Sequence, residues 1–147
     1  MEIQDILMAS ADNMRSAVAI KQTVEAAQRT MLNRFFAAVD AKVGVHYKRL
    51  ENEYDYAYHN GKRVEDFYKY RRYTMPGISY LFQENVKPGV DLWVRLEIYE
   101  YSYLGYYCPQ ECIQGEKPPL TAAEVKQLTG LDYKEDGITG EKAGGLI

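Results

Sequence analysis

Apolar residues return along the first 42 positions at close to helical spacing: Ile3, Ile6 and Leu7, then Met14, Val18, Val24, Met31, Phe35 and Val39. Neither Gly nor Pro interrupts residues 2–42, which are rich in good helix formers. The weak point is Ser10-Ala11-Asp12-Asn13, because short polar side chains compete for backbone hydrogen bonds and favour caps. The pattern predicts a short helix over 2–9 and a long one over 13–42, with Gly44 as the stop. At about 1.5 Å per residue the long helix runs on the order of 45 Å, more than a compact domain of this size is wide. Such a helix either kinks or overhangs into a partner.

Further on the period changes to two. Leu92, Val94, Leu96 and Ile98 alternate with Trp93, Arg95, Glu97 and Tyr99, which predicts a strand with one aliphatic face. Carried to Tyr107, it is one long central strand over 91–107. Glu100 and Ser102 then fall on the aliphatic face, and a bulge or one-residue slip near Tyr99–Tyr101 restores the phase. Residues 78–84 read as a strand and 86–89 as a turn, so the two strands pair antiparallel. Residues 45–73 are ambiguous. Tyr54, Tyr56 and Tyr58 alternate like a strand and lead to an Asn60-Gly61 pair suited to a type I′ hairpin turn, while Tyr47, Leu50, Tyr54 and Tyr58 also fit a helix. The reading adopted is a strand over 45–58, followed by a return strand or short helical turn from Val64. Thr121 and Glu124 form a capping box that opens a last helix, ended by Gly130. Residues 134–147, with four glycines and little apolar content, read as a tail. The expectation is one α+β domain over 1–133: a long N-terminal helix packed on an antiparallel β-sheet, with a short C-terminal helix.

Composition adds one departure, 14 tyrosines against one Trp and four Phe. Tyrosine favours half-buried sheet faces, groove walls and interfaces, where ring and hydroxyl both find partners. The net charge of −3 is unevenly spread: five basic against five acidic residues over 1–44, nine against seven over 45–96, and four against nine over 97–147. No part is basic enough to announce nucleic acid. No apolar run approaches the ~20 residues that span a bilayer, and no signal-peptide pattern opens the chain. A soluble, cytoplasmic protein is expected.

Candidate chemistry is sparse. Cys108 and Cys112 lie four apart with His46 and His59 distant, too few ligands for zinc, so neither metal nor cofactor is expected. Acid-x-Lys tripeptides at Asp40-Ala41-Lys42, Glu124-Val125-Lys126 and Asp132-Tyr133-Lys134 read as solvated charge pairs. Two stretches hold binding potential. On the organising strand, Trp93, Arg95, Glu97, Tyr99 and Tyr101 form a face where an Arg held by a Glu and walled by aromatics suits an anionic or planar ligand; the same residues also serve as ordinary same-face pairs. Over 54–73, Tyr56 and Tyr58 stand near Lys62, Arg63, Lys69, Arg71 and Arg72. Rings for stacking beside cations for phosphates is how single strands are gripped, although Glu65 and Asp66 dilute the charge.

The run Gly77-Ile-Ser-Tyr-Leu, a short turn, Leu92-Trp-Val-Arg-Leu-Glu-Ile and Tyr103-Leu-Gly-Tyr resembles the C-terminal accessory region of some PD-(D/E)XK-superfamily nucleases. The likeness covers about 35 residues. No Pro-Asp pair precedes an acid-x-Lys strand, so no catalytic residue carries over, and the resemblance implies a recognition or assembly module. The function expected is therefore a non-catalytic binding or interaction module, with a protein partner or self-association through the N-terminal helix. The rivals are an enzyme using the Trp93/Arg95/Glu97/Tyr99 face and a weak single-strand binder using 54–73.

Overall fold

The computed structural model describes residues 2–70, 75–98, 102–109 and 119–130, Tyr70 through its backbone alone. The chain opens with α1 (Ile3–Met8) and α2 (Ala11–Val43). The polar run between them acts as a cap: Ser10 is extended and its side chain accepts from Asn13 N at 3.0 Å. Asn13 Nδ2 in turn donates to Ile6 O at 2.8 Å, latching α1 to the start of α2. The long helix thus starts two residues earlier than expected and continues for 33, about 50 Å at 1.5 Å per residue. Gly44 ends it, its N–H donating to Asp40 O at 2.8 Å.

The strand expected over 45–58 does not form. Residues 48–56 instead run irregularly along one edge of the sheet, joined to it by single bridges at Arg49–Tyr80 and Asp55–Gly77. The tyrosine alternation is overridden by two local turns, in which Asn52 Oδ1 accepts from Tyr54 N (3.0 Å) and Asp55 Oδ1 from Ala57 N (2.9 Å). The Asn-Gly pair does take left-handed dihedrals near those of a type I′ turn, with Asn60 at φ 57, ψ 39 and Gly61 at φ 85, ψ 18. His59 is left-handed as well, and the three form a kink within a helical segment rather than a hairpin. That helix, α3 (Tyr58–Tyr70), buries Val64 against α2, and this burial decides for helix over return strand.

Three antiparallel strands follow in the order β1 (Gly77–Lys87), β2 (Val90–Ile98), β3 (Ser102–Tyr107). Gly89, at φ 74, makes the tight β1–β2 connection. The single strand expected over 91–107 is two strands of a hairpin, with Ile98 opposite Ser102 and Trp93 opposite Tyr107. The chain reverses direction between Ile98 and Ser102, so Ser102 falls out of phase because it belongs to a second strand and not to a bulged continuation of the first. Register shifts occur elsewhere, on β1 between Leu81 and Gln83 and between Gln83 and Lys87. The final helix, α4 (Ala122–Thr129), has the expected capping box, with Thr121 Oγ1 accepting from Glu124 N at 3.2 Å and left-handed Gly130 at its end. Residues 131–147, including the expected tail, lie outside the described residues. The fold is α+β as the sequence predicts.

Pairing of Ile78 with Leu96, Tyr80 with Val94, and Val94 with Tyr106 puts all of these on one face of the sheet. That face carries both core clusters. At one end Leu32 and Phe36 of α2, Val64 of α3 and Tyr56 close over Ile78 and Tyr80; at the other, Leu120 and Val125 of the α4 region close over Val90, Leu92 and Cys108. Lys87 Nζ pins the second lid, 2.7 Å from the Glu124 carboxylate and 3.1 Å from Pro119 O. The hydrogen bond from Lys87, then that from the Thr121 backbone, holds the Glu124 carboxyl below its ordinary range.

Candidate functional site

The opposite sheet face carries Trp93, Arg95 and Glu97, with Ser79 across from Arg95 on β1 and Gly105 across on β3. The strand spacing brings Arg95 and Glu97 together as expected, Nε donating to Oε1 at 2.7 Å. The rest of the guanidinium is engaged as well: Nη1 donates to Ser79 Oγ (3.1 Å), and Nη2 to the carbonyls of Tyr54 (2.9 Å) and Met75 (3.2 Å). The group also lies 5.6 Å from the Tyr107 ring centroid. Gly77 makes room for it, since a Cβ there would sit 2.6 Å from Arg95 Cζ. With Arg95 only 3 % exposed and Trp93 buried, this face ties the chain before α3 and the chain before β1 onto the sheet. Trp93 Nε1 finds no hydrogen-bond partner among the described residues. Tyr99 and Tyr101, the other members of the expected platform, lie outside the described residues.

The residues expected to grip single strands are dispersed. Tyr56 is buried and stacks on Phe36 with ring centroids 4.9 Å apart. Burial raises its hydroxyl pKa. Tyr58 is at the surface against His59, and Lys62 reaches Asp66 at 3.3 Å. Arg63 donates to Glu53 O, approaches the Glu53 carboxylate at 3.8 Å and lies over the Tyr54 ring. Lys69 is exposed on the last turn of α3. Arg71 and Arg72 lie outside the described residues.

Sequence reasoning missed a polar cluster on the other side of the sheet. Arg49 donates to both oxygens of buried Asp55, through Nε at 3.0 Å and Nη2 at 2.9 Å, and to Asp40 Oδ2 at 2.8 Å. Tyr80 Oη donates to Asp40 Oδ1 at 2.7 Å, and Arg49 stacks over the Tyr56 ring. Asp40, expected as half of a solvated pair with Lys42, is therefore a cross-link between α2, the edge segment and β1. Burial alone would lower the Arg49 pKa, but the hydrogen bonds and charges of Asp55 and Asp40 together raise it. Burial first, then the bond to Asp40, pushes the Tyr80 pKa up. No local signal marks this cluster, because its members come from three separate stretches.

Among the described residues, α2 carries a run of exposed apolar side chains. Along α2, Ile20, Val24, Met31 and Phe35 are exposed, Ile20 at 65 % and Met31 at 70 %. With Ala17 and Ala27, Ile20, Val24 and Met31 follow the alternating three- and four-residue spacing of a helix–helix seam, and Phe35 lies one turn beyond Met31. The stripe is distinct from the core stripe Leu32, Phe36, Val39 and Val43, which faces the domain. No helix among the described residues is long and apolar enough to cross a membrane. Comparison with known families, curated proteins and solved structures finds no match for this chain.

Proposed function

We propose that this protein is a non-catalytic binding and assembly module that pairs with a second copy of itself through α2. The observation that carries the reading is the seam of half-buried Ala17 and exposed Ile20, Val24, Ala27 and Met31 on a helix whose N-terminal half touches no core. The seam is flanked by Ser16, Thr23, Thr30 and Gln28, with Lys21 beside it and Arg34 just beyond Met31 as its charged neighbours. Neutral flanks set up little like-charge repulsion between identical chains, and a stripe of this spacing is self-complementary under two-fold symmetry. The engaged state of Arg95 and the ion-paired cations near α3 favour interaction over catalysis or nucleic-acid binding. The likeness of β1–β3 to the accessory region of PD-(D/E)XK-superfamily nucleases fits the same reading, a module that assembles rather than cuts. Its proposed setting is the cytoplasm, where the buried Cys108 stays a thiol.

Sedimentation equilibrium tests the pairing. The wild type is expected to self-associate at micromolar concentration, and the double variant Ile20→Glu/Val24→Glu to lose this association with its far-UV circular dichroism unchanged. A wild type that sediments as a single 16.9 kDa species at every concentration would overturn the reading.

A further inference from the structure

The two edges of the sheet differ in how they are finished. Along β1, residues 48–56 supply three backbone hydrogen bonds: Leu81 N to Lys48 O (2.8 Å), Leu50 N to Ser79 O (2.9 Å) and Tyr56 N to Gly77 O (2.8 Å). Along the outer side of β3, residues 102–106 make no backbone hydrogen bond to any other described segment. Exposed edges in folded proteins are normally guarded by charge, proline or a bulge. β3, Ser102-Tyr-Leu-Gly-Tyr-Tyr107, has no charged residue and no proline, and it pairs with β2 without a register shift. Leu104 at its centre is 74 % exposed.

We infer that this edge is a second pairing surface, on which β3 of another copy of the chain lies antiparallel and joins two three-stranded sheets into one of six. Neutrality selects the occupant: a charged peptide finds no counter-charge on β3, whereas a strand as neutral and aromatic as β3 itself meets no desolvated charge. A two-fold axis normal to the sheet and passing through Leu104 sets Leu104 against Leu104 of the second copy. The same register sets Tyr103 opposite Gly105 of the second copy, where the missing side chain leaves room for the ring. Because directly opposed residues share a face, the apolar face that carries Leu96, Leu104 and Tyr106 continues across the junction. Five paired residues on each copy, Ser102 to Tyr106, are a small contact, so the pairing is weak and concentration-dependent. It uses no residue of α2 and stands apart from the pairing proposed there.

The test compares four proteins by sedimentation velocity up to several hundred micromolar: wild type, Leu104→Lys, Ile20→Glu/Val24→Glu, and the triple variant. Leu104 is exposed, so Leu104→Lys is expected to leave thermal unfolding unchanged while setting like charges opposite each other at the axis. In the Ile20→Glu/Val24→Glu background, a residual monomer–dimer equilibrium is expected, and Leu104→Lys should raise its dissociation constant about tenfold or more. Hydrogen exchange at the β3 amides should slow with concentration in the α2 double variant and not in the triple variant. If the double variant is monomeric throughout with β3 exchange independent of concentration, or if Leu104→Lys leaves its dimer intact, the β3 pairing is wrong. Failure of the α2 reading looks different: the double variant then behaves as the wild type does, and Leu104→Lys alone abolishes association.

Discussion

The two halves of α2 have the same local credentials and different fates. Both lack Gly and Pro up to Val43, and both carry an apolar residue every three or four positions. Yet the only buried residues on the helix are Leu32 and Phe36, both in its second half. The first half is held locally, by the Ser10 cap and by exposed pairs such as Arg15–Asp12 and Lys21–Glu25, which contribute little each. A free helix of this length is marginal in water. Its continuity therefore leans on the anchored half, which is nucleated against the sheet, and in the proposed assembly on the seam. Within the anchored half the buried and exposed faces meet at one peptide bond: Phe36 is fully buried while Phe35, its ring centroid 5.4 Å away, is 43 % exposed.

Substitutions along this boundary test the contrast. The largest effect belongs to Phe36→Ala, which should lower unfolding free energy by about 3–5 kcal/mol in chemical denaturation, the range for emptying a packed aromatic site. A loss under about 1 kcal/mol would mean that α2 is not anchored where Phe36 sits. Next comes Tyr80→Phe, which removes the hydrogen bond to Asp40 and should cost about 1 kcal/mol. Tyr80, Tyr56 and Tyr68 all have raised pKa values, chiefly through burial, so the folded state holds their protons more tightly than the unfolded state does. Stability from these groups is fully present below the unfolded tyrosine pKa of about 10 and is lost as pH rises above it. Tyr80→Phe should flatten that alkaline decline in a series of melts between neutral and strongly alkaline pH. The smallest effect is expected of Phe35→Ala, under about 1 kcal/mol in the dilute protein. A cost equal to that of Phe36→Ala would erase the distinction between the two faces.

The elements legible in the sequence are those whose cause is local. Ser10, the Thr121–Glu124 capping box and Gly130 announce helix ends through their own hydrogen bonds, and the alternation from Leu92 to Ile98 announces a strand through its own side chains. The misread elements depend on contacts from elsewhere. Tyr54-Asp55-Tyr56 carries a strand pattern, but Asn52 and Asp55 turn the backbone and Arg49 holds it in place. Asn60-Gly61 supplies the left-handed dihedrals of a hairpin turn, and burial of Val64 under α2 sends the chain into a helix instead. At Glu100 and Ser102 the broken phase was visible, and both a bulge and a reversal account for it; only the pairing of Ile98 with Ser102 decides. Of the candidate binding face, the Arg95–Glu97 pair was readable from spacing two on a strand. The carbonyls of Tyr54 and Met75 that engage the same guanidinium were not, because each comes from a different segment.

The angular relation between the two stripes on α2 has a consequence for how its length can vary. The exposed seam from Ile20 to Met31 and the buried stripe from Leu32 to Val43 belong to one rigid rod, so their relative direction is set by residue count alone. Adding a residue between Met31 and Leu32 lengthens the rod by about 1.5 Å and turns the seam by about 100° around its axis. Two added residues leave the seam facing away from its former direction, about 200° round, whereas four bring it back to within roughly 40° and seven to within roughly 20°. The helix can thus be cut or extended only by near-whole numbers of turns if the seam is to keep its bearing on the sheet. Its length works as a gear ratio as much as a ruler.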